Sequence, residues 1–458
     1  MHIGTKKREV NMLSGSIMKG LFSIAIPIMI MNVTMSLFNI VDMTVLRIFD
    51  SSGGFAVGAV GACGVLINLI TGLMIGCSAG ANVVIAKYIG MGDSERVEKA
   101  TGVSILFSVI GGLALSIVGI CCAEVFLGWM NCPRELIKDS ALYFRLYFAG
   151  LPIFMAYNFV SSILRSAGDS KRPMIYLISG SAIKLLFNLI FVAGFKMTVE
   201  GVAFATLISW AFMTVWGVST LLRNQGVIKL KLSRIRFYTK ELKEILIIGI
   251  PTGLQQALYS IANVIIVTTV NSFGAEATTG ISIANNFDGI LYQIVTAPAL
   301  AVMPYVSQNI GHKNISRVRH VIVNGLIINV SLGATFGCLS ALFSAQLSSL
   351  MSVNPTVIAF SQQKMIIISS TYFICGINDI FGATLRGMGK PTLPTIATLL
   401  YMCLLRFVWV YFIFPLVPNL TFLYLVWPIG WILSIVTLIP FCFKGLKKME
   451  IELVDCKT

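Results

Sequence analysis

Three aspartates stand inside long apolar runs of this sequence: Asp42 in FNIVD, Asp288 in NNFDGILYQ and Asp379 in GINDIFG. A carboxylate at membrane depth is expensive to keep, so it marks a place where a cation or a proton is bound and released. Asn39 lies three residues before Asp42 on the same helical face, and Pro27 offers a kink point below it. Asp42 has two readings: half of a cation site, or a solvated residue at the outer interface ahead of Arg47 and Asp50. Asp288 and Asp379 either face a central cavity or form a structural salt bridge to Arg406. Gln255, Gln256, Tyr259 and Asn263 recur at turn spacing past Pro251, a polar stripe on an otherwise apolar helix. Such a stripe contacts a substrate or holds neighbouring helices together.

Other chemistries lack their residues. There is no G-x-x-x-x-G-K-[ST] phosphate loop, since RGMGKP at 386–391 has neither Ser nor Thr after the lysine, and no HExxH. The ten cysteines form no CxxC pair, and with three histidines a zinc site is not expected. An enzyme is therefore not expected, nor any cofactor. Work would come from an ion gradient, H+ or Na+, in which each charge crossing the field is worth about 2.3 kcal/mol per 100 mV.

The elements that must position these groups are set by composition. Hydrophobic residues make up 56% of the chain and charged ones 12%, against about a quarter charged in soluble proteins. Twelve apolar stretches are long enough to cross about 30 Å of hydrocarbon. They lie near 17–46, 55–86, 101–123, 140–163, 174–195, 199–222, 245–271, 278–307, 319–343, 357–384, 393–414 and 421–443. The first reads as a true span rather than the apolar region of a signal sequence. The net charge of +15 is spread over short loops rather than one soluble face, which excludes nucleic acid as a partner. Lys and Arg cluster before the first run, after every second run, in the linker 223–243 and after the last. That pattern places both termini in the cytoplasm.

The chain also says nearly the same thing twice. LRSAGDSKRP at 164–173 returns as LRGMGKPTLP at 385–394, and GMGDSERV at 90–97 as GHKNISRV at 311–318, both at an offset of 221 (386 − 165). An offset of 224 (251 − 27) pairs Pro27 with Pro251 and Asn39 with Asn263. Parallel copies of six spans each are a transporter architecture. The expected division is a lobe over 1–222, a basic cytoplasmic linker over 223–244 and a lobe over 245–458.

Two folds share that description. The loop at 90–97 weakly echoes the major facilitator signature G-x-x-x-D-R-x-G-R but lacks its second glycine and basic cluster. The repeated LRxxG…P element, with FNIVD at 38–42, VSQNIG at 306–311 and GVAFATLIS at 201–209, resembles the multidrug and toxic-compound extrusion (MATE) family over essentially the whole chain. The resemblance implies an all-α polytopic membrane protein of twelve helices in two pseudo-symmetric six-helix lobes. It further implies efflux of small amphipathic, cationic compounds by proton- or sodium-coupled antiport with alternating access. The setting would be a bacterial-type inner membrane, with lipids as neighbours and a monomeric chain.

In that family the position of Asp42 belongs to a cation or proton site in the first lobe, completed by an Asn and an Asp four apart in span five and a Thr in span six. Counting back from GVAFAT, the threonine matches Thr206, but the other two positions hold Lys184 and Asn188. A lysine there replaces the sodium ion with a built-in ammonium, exchanges protons itself, or snorkels to the cytoplasmic surface. Asp288 resembles an acidic position of span eight, and Asp379 has Asn158 as its repeat-mate (379 − 158 = 221). The 20 methionines and 29 phenylalanines suit either an adaptable cavity or lipid-facing helices. The competing function is a flippase for lipid-linked sugars, in which Lys184, Arg406, Arg145 or Lys364 would meet phosphate.

Overall fold

The computed structural model describes residues 10–49, 55–129, 137–224 and 226–455, except for the side chains of 39–49, of 55–66 other than Cys63, and of 129 and 453–455. No strand occurs among the described residues. The first half comprises α1 (Ile17–Phe49), α2 (Phe55–Met91), α3 (Ser94–Trp129), α4 (Ile137–Ala149), α5 (Leu151–Ser166), α6 (Lys171–Asn188) and α7 (Val199–Arg223). The second has α8 (Thr239–Asn271), α9 (Ala275–Gly311), α10 (Ile315–Leu342), the short α11 (Ser344–Ser349), α12 (Pro355–Ser370) and α13 (Tyr372–Gly387). It ends with α14 (Thr392–Thr398), α15 (Leu405–Val408), α16 (Leu420–Tyr424) and α17 (Val426–Asp455). Among the described residues, ten helical stretches are long and apolar enough to cross a membrane, and two bent pairs, α4–α5 and α12–α13, raise the number to as many as twelve.

The repeat in sequence is a repeat in shape, down to its irregularities. Each bent pair turns by 45°, and the break falls at Gly150 in one copy and Thr371 in the other, again 221 apart (371 − 150). In the first copy Pro152 follows the break and cannot donate into the preceding turn. In the second no proline is needed. The Ser370 hydroxyl donates to the Ile366 carbonyl (2.6 Å) and the Thr371 hydroxyl to that of Ile367 (2.9 Å), bonds that bend helices. A wide π turn at Leu189–Gly194 extends α6, and another at Trp409–Ile413 follows α15.

The turn glycines have a definite task. Gly168 (φ 85°) and Gly389 (φ 75°) take the left-handed conformation that ends α5 and α13 just past Arg165 and Arg386. Gly92 (φ 72°) does the same after α2, but its repeat-mate is the exposed Lys313, at φ 60° (313 − 92 = 221). A side chain there costs roughly 1–2 kcal/mol. Lys313→Gly is expected to stabilise the protein by about 0.5–1 kcal/mol after glycine's own entropic cost, and Gly92→Lys to destabilise it. Thermal unfolding of the detergent-solubilised protein checks both, and an unchanged or lowered midpoint in Lys313→Gly contradicts the argument.

The chain divides into two compact units, one of residues 1–10 and 30–253, the other of 11–29 and 254–458. The cuts therefore depart from the two sequence halves: α1 passes into the first unit just beyond Pro27, and α8 into the second just beyond Pro251. In the second unit α9 packs on α10, α12 and α13; in the first, α2 packs on α3, α4 and α5. The second unit's core includes Ile266, Val295, Ile368, Trp409, Tyr424 and Trp431. Outer faces carry exposed Leu113, Ile117, Ile327 and Leu339, which suits lipid as the solvent.

Candidate functional site

The site begins with the polar stripe of α8. Gln255, Tyr259 and Asn263 stand four residues apart, so one face of the helix carries all three. Opposite them, α9 contributes Asn285, Asp288, Tyr292 and Thr296, and the bent α12–α13 pair contributes Lys364, Tyr372 and Asp379. Two cavities open between these helices within the second unit, sharing Tyr259 and Tyr292 in their walls.

The larger cavity, of ≈ 250 Å³, holds a buried ion pair. Lys364 Nζ lies 2.8 Å from Asp288 Oδ2, and both side chains are nearly solvent-free. The ammonium also donates to Asn285 Oδ1, while Asp288 Oδ1 accepts from Ser369 at 3.3 Å. The partner of Asp288 is thus Lys364, not the Arg406 that sequence offered. Arg406, fully buried, donates through Nη1 to Asn263 Oδ1 at 2.6 Å. Its guanidinium lies 5.1 Å from the Tyr259 ring centre and 4.9 Å from that of Trp427, a pair of contacts that compensates a desolvated cation.

The smaller cavity, of ≈ 90 Å³, is walled by Asp379, Arg386, Gln255 and Gln256 among others. Asp379 Oδ2 accepts from the Thr296 hydroxyl at 2.8 Å. Gln255 is spanned at both ends, donating to Thr398 (2.8 Å) and accepting from Arg386 (2.9 Å). Its amide is a bracket between helices, whereas Gln256 is exposed, and its backbone carbonyl accepts from Ser260.

The first unit is described less fully. Asn39 and Asp42 lie on α1, and their side chains fall outside the described residues. Lys184, half-buried, and Asn188, buried, sit one turn apart on α6. Thr206, buried on α7, donates to its own helix at the Val202 carbonyl (2.8 Å). Asn158, the mate of Asp379, likewise donates back to Phe154 (2.9 Å). At the same offset of 221, Asp288, Lys364 and Arg406 face Ile67, Tyr143 and Leu185. Charge at these three positions belongs to the second copy alone.

Sequence reasoning assigned the cavity no role for Asn285, Thr296, Tyr372 or Trp427; it offered Lys364 only as a phosphate ligand, and Arg406 as a phosphate ligand or as the salt-bridge partner of Asp288 and Asp379. A lone lysine in FSQQKMIII carries the same signal as a lone aspartate in an apolar run, so Lys364 was findable by the rule that found Asp288. Its pairing was not.

A MatE family model matches residues 27–190 and 251–412, one segment in each half. The chain is 26% identical over 392 residues to the probable multidrug resistance protein YoeA of Bacillus subtilis, covering 84% of each. It is also 26% identical over 386 residues to the probable multidrug resistance protein NorM of Thermotoga maritima, covering 83% of this chain and 82% of that one. Among solved structures it resembles an outward-facing multidrug resistance MATE transporter of the MOP superfamily, with a TM-score of 0.89 at 20% identity, over 98% of this chain and 100% of that one.

Proposed function

This chain belongs to the MatE family, a family of transporters and not of enzymes, and from that premise we propose that it exports small amphipathic compounds, cations among them, in exchange for protons or sodium ions. It would do so by alternating access, as a monomer in a bacterial-type cell membrane with both termini in the cytoplasm. The observation that carries the exchange is Asp379. It is a half-buried intramembrane carboxylate on a cavity wall, with one hydroxyl, that of Thr296, bonded to one of its oxygens. Such a group can accept a proton or a cation from one side and release it to the other. Asp42 is the proposed exchange carboxylate of the first half, with Asn39, Lys184, Asn188 and Thr206 as its proposed surroundings. There Lys184 serves as the built-in cation.

The flippase reading is the weaker one. A lipid-linked sugar phosphate needs several cations turned towards it, but Lys364 is already bound to Asp288 and Arg145 to Glu124 at 2.8 Å.

Reconstituted in liposomes, the protein is expected to export ethidium under an imposed proton or sodium gradient. Asp42→Asn and Asp379→Asn should each slow that export by at least tenfold, and Lys184→Asn should shift the preference towards sodium. Failure to export under both gradients would reject the antiport reading.

A further inference from the structure

We propose that the basic linker between the two repeats is a binding surface for phospholipids with anionic headgroups. It holds them against the N-terminal edge of α3, whatever compound the protein transports.

Charge is the first argument. Residues 223–240 carry six cations and no acid. Two of the six are used within the fold: Lys231 reaches Glu98 at 2.6 Å, and Arg234 lies 3.7 Å from Glu98 and 3.8 Å from Glu95. The other four, Arg223, Lys229, Arg236 and Lys240, are exposed and form no ion pair among the described residues. The repeat does not require this charge. At the offset of 224, residues 234–240 correspond to VNMLSGS at 10–16, which has no charged residue. Met12, the counterpart of Arg236 (236 − 12 = 224), is buried.

The second argument is placement. The linker is a fixed ridge rather than a loose tether. Ile228 and Leu230 are buried; Asn224 donates to the Ile228 carbonyl at 2.6 Å, and the Leu230 amide donates to that of Leu221 at 3.1 Å. Further on, the chain presses onto α3, where a Cβ on Gly102 would stand 2.1 Å from the Arg234 carbonyl oxygen. Gly102 shares a helical face with Val109 and Leu113, both apolar and exposed. Such a face meets acyl chains. Gly102 also stands at the start of the apolar run of α3, two turns and about 10 Å of helix before Val109. The linker therefore crosses where hydrocarbon gives way to headgroups.

Apolar side chains supply the rest. Leu232, 71% exposed, and Phe237, 60% exposed, stand among these cations. Large apolar groups beside lysine and arginine are the make-up of a surface that dips into the interface while its charges meet anionic lipid. A soluble acidic partner would match the charge and leave Leu232 and Phe237 in water. A phospholipid offers phosphate oxygens to the cations and an acyl chain to the apolar pair.

The test uses the full chain in a neutral detergent with equal amounts of dioleoyl-phosphatidylglycerol and dioleoyl-phosphatidylcholine, which share their tails. Native mass spectrometry counts how much of each lipid the protein retains. The anionic lipid is expected to be favoured roughly fivefold, the effect of about one cation at an anionic surface. Lys229→Gln/Arg236→Gln should bring the two lipids within about twofold of each other. Lys447→Gln/Lys448→Gln removes equal charge from the C-terminal segment and should leave the preference unchanged. Thermal unfolding checks the fold of each variant. Should the linker pair fail to fold, Arg236→Gln alone is expected to lower the preference about twofold. Phe237→Ser should lower retention of both lipids. Equal retention of the two lipids by the unaltered protein overturns the proposal. So does an equal loss in both paired variants, which would reduce the effect to net charge. Displacement of the lipid by millimolar glycerol phosphate overturns it too, since a soluble phosphate would then suffice without tails. Retention is read without transport, so this surface and the exporter reading fail separately.

Discussion

Lys364→Met is expected to cost about 3–5 kcal/mol of stability, the usual effect of removing one member of a buried ion pair. The reason is what the substitution leaves behind. Asp288 is 7% exposed, and its remaining side-chain partner is the Ser369 hydroxyl at 3.3 Å. A carboxylate so placed must stay charged without compensation or take up a proton, and either course penalises the folded state. Methionine is close to lysine in length and flexibility, so lost packing contributes little. The double variant Lys364→Met/Asp288→Asn removes both charges and should recover most of the loss, because two neutral groups bear no comparable desolvation penalty. Thermal unfolding in detergent measures both, and equal instability of the single and double variants would show that the pair's charge is irrelevant. Transport separates the roles further. If the pair only braces α9 against α12, the double variant exports normally; if Lys364 and Asp288 handle substrate, it folds yet exports poorly.

Gly333→Leu and Gly112→Leu should each abolish a well-folded protein. These glycines are repeat-mates on α10 and α3 (333 − 112 = 221), and each lies against the backbone just past the bend of a broken span. A Cβ on Gly333 would stand 2.8 Å from Phe373 Cα, and one on Gly112 2.5 Å from Pro152 Cα. No rotamer change relieves a clash with main chain, so the helices must separate. Membrane helices gain their association from such close approach, with no water to expel. Overpacking costs about 1–3 kcal/mol where side chains can yield, and a backbone contact puts these variants at or beyond the top of that range. Gly128, on the same helix as Gly112, has none of the described residues within 4 Å of a built Cβ. Gly128→Leu is therefore the control and should remain monodisperse on size exclusion with an unchanged unfolding midpoint. Gly112→Leu behaving like Gly128→Leu would refute the packing argument.

Much of this protein was legible in its sequence. Each of the twelve apolar runs overlaps a helix or a bent pair, and the 221-residue repeat extends to turns, breaks and π segments. Gly168 and Gly389 stood out as a repeated pair and prove to be left-handed helix ends. The polar stripe and two of the three intramembrane aspartates come together around the cavities of the second unit. Less legible were the exchanges at Pro27 and Pro251, where a single helix serves both units, since hydropathy reports that a segment spans and not what it packs on.

Spans and repeat were determined by the sequence alone because they depend on the free energy of moving some twenty residues into hydrocarbon, a property of each segment by itself. Pairing was decided only by the tertiary structure. Arg406 meets Asn263 across 143 residues of chain, and Asp288 is neutralised by Lys364 rather than by Arg406. At the level of sequence both cations are equally eligible partners. The choice depends on which helix faces α9 and at what height, set by the bend at Thr371 and the glycines that let α10 approach it. Those are distances between segments, and no single segment contains them.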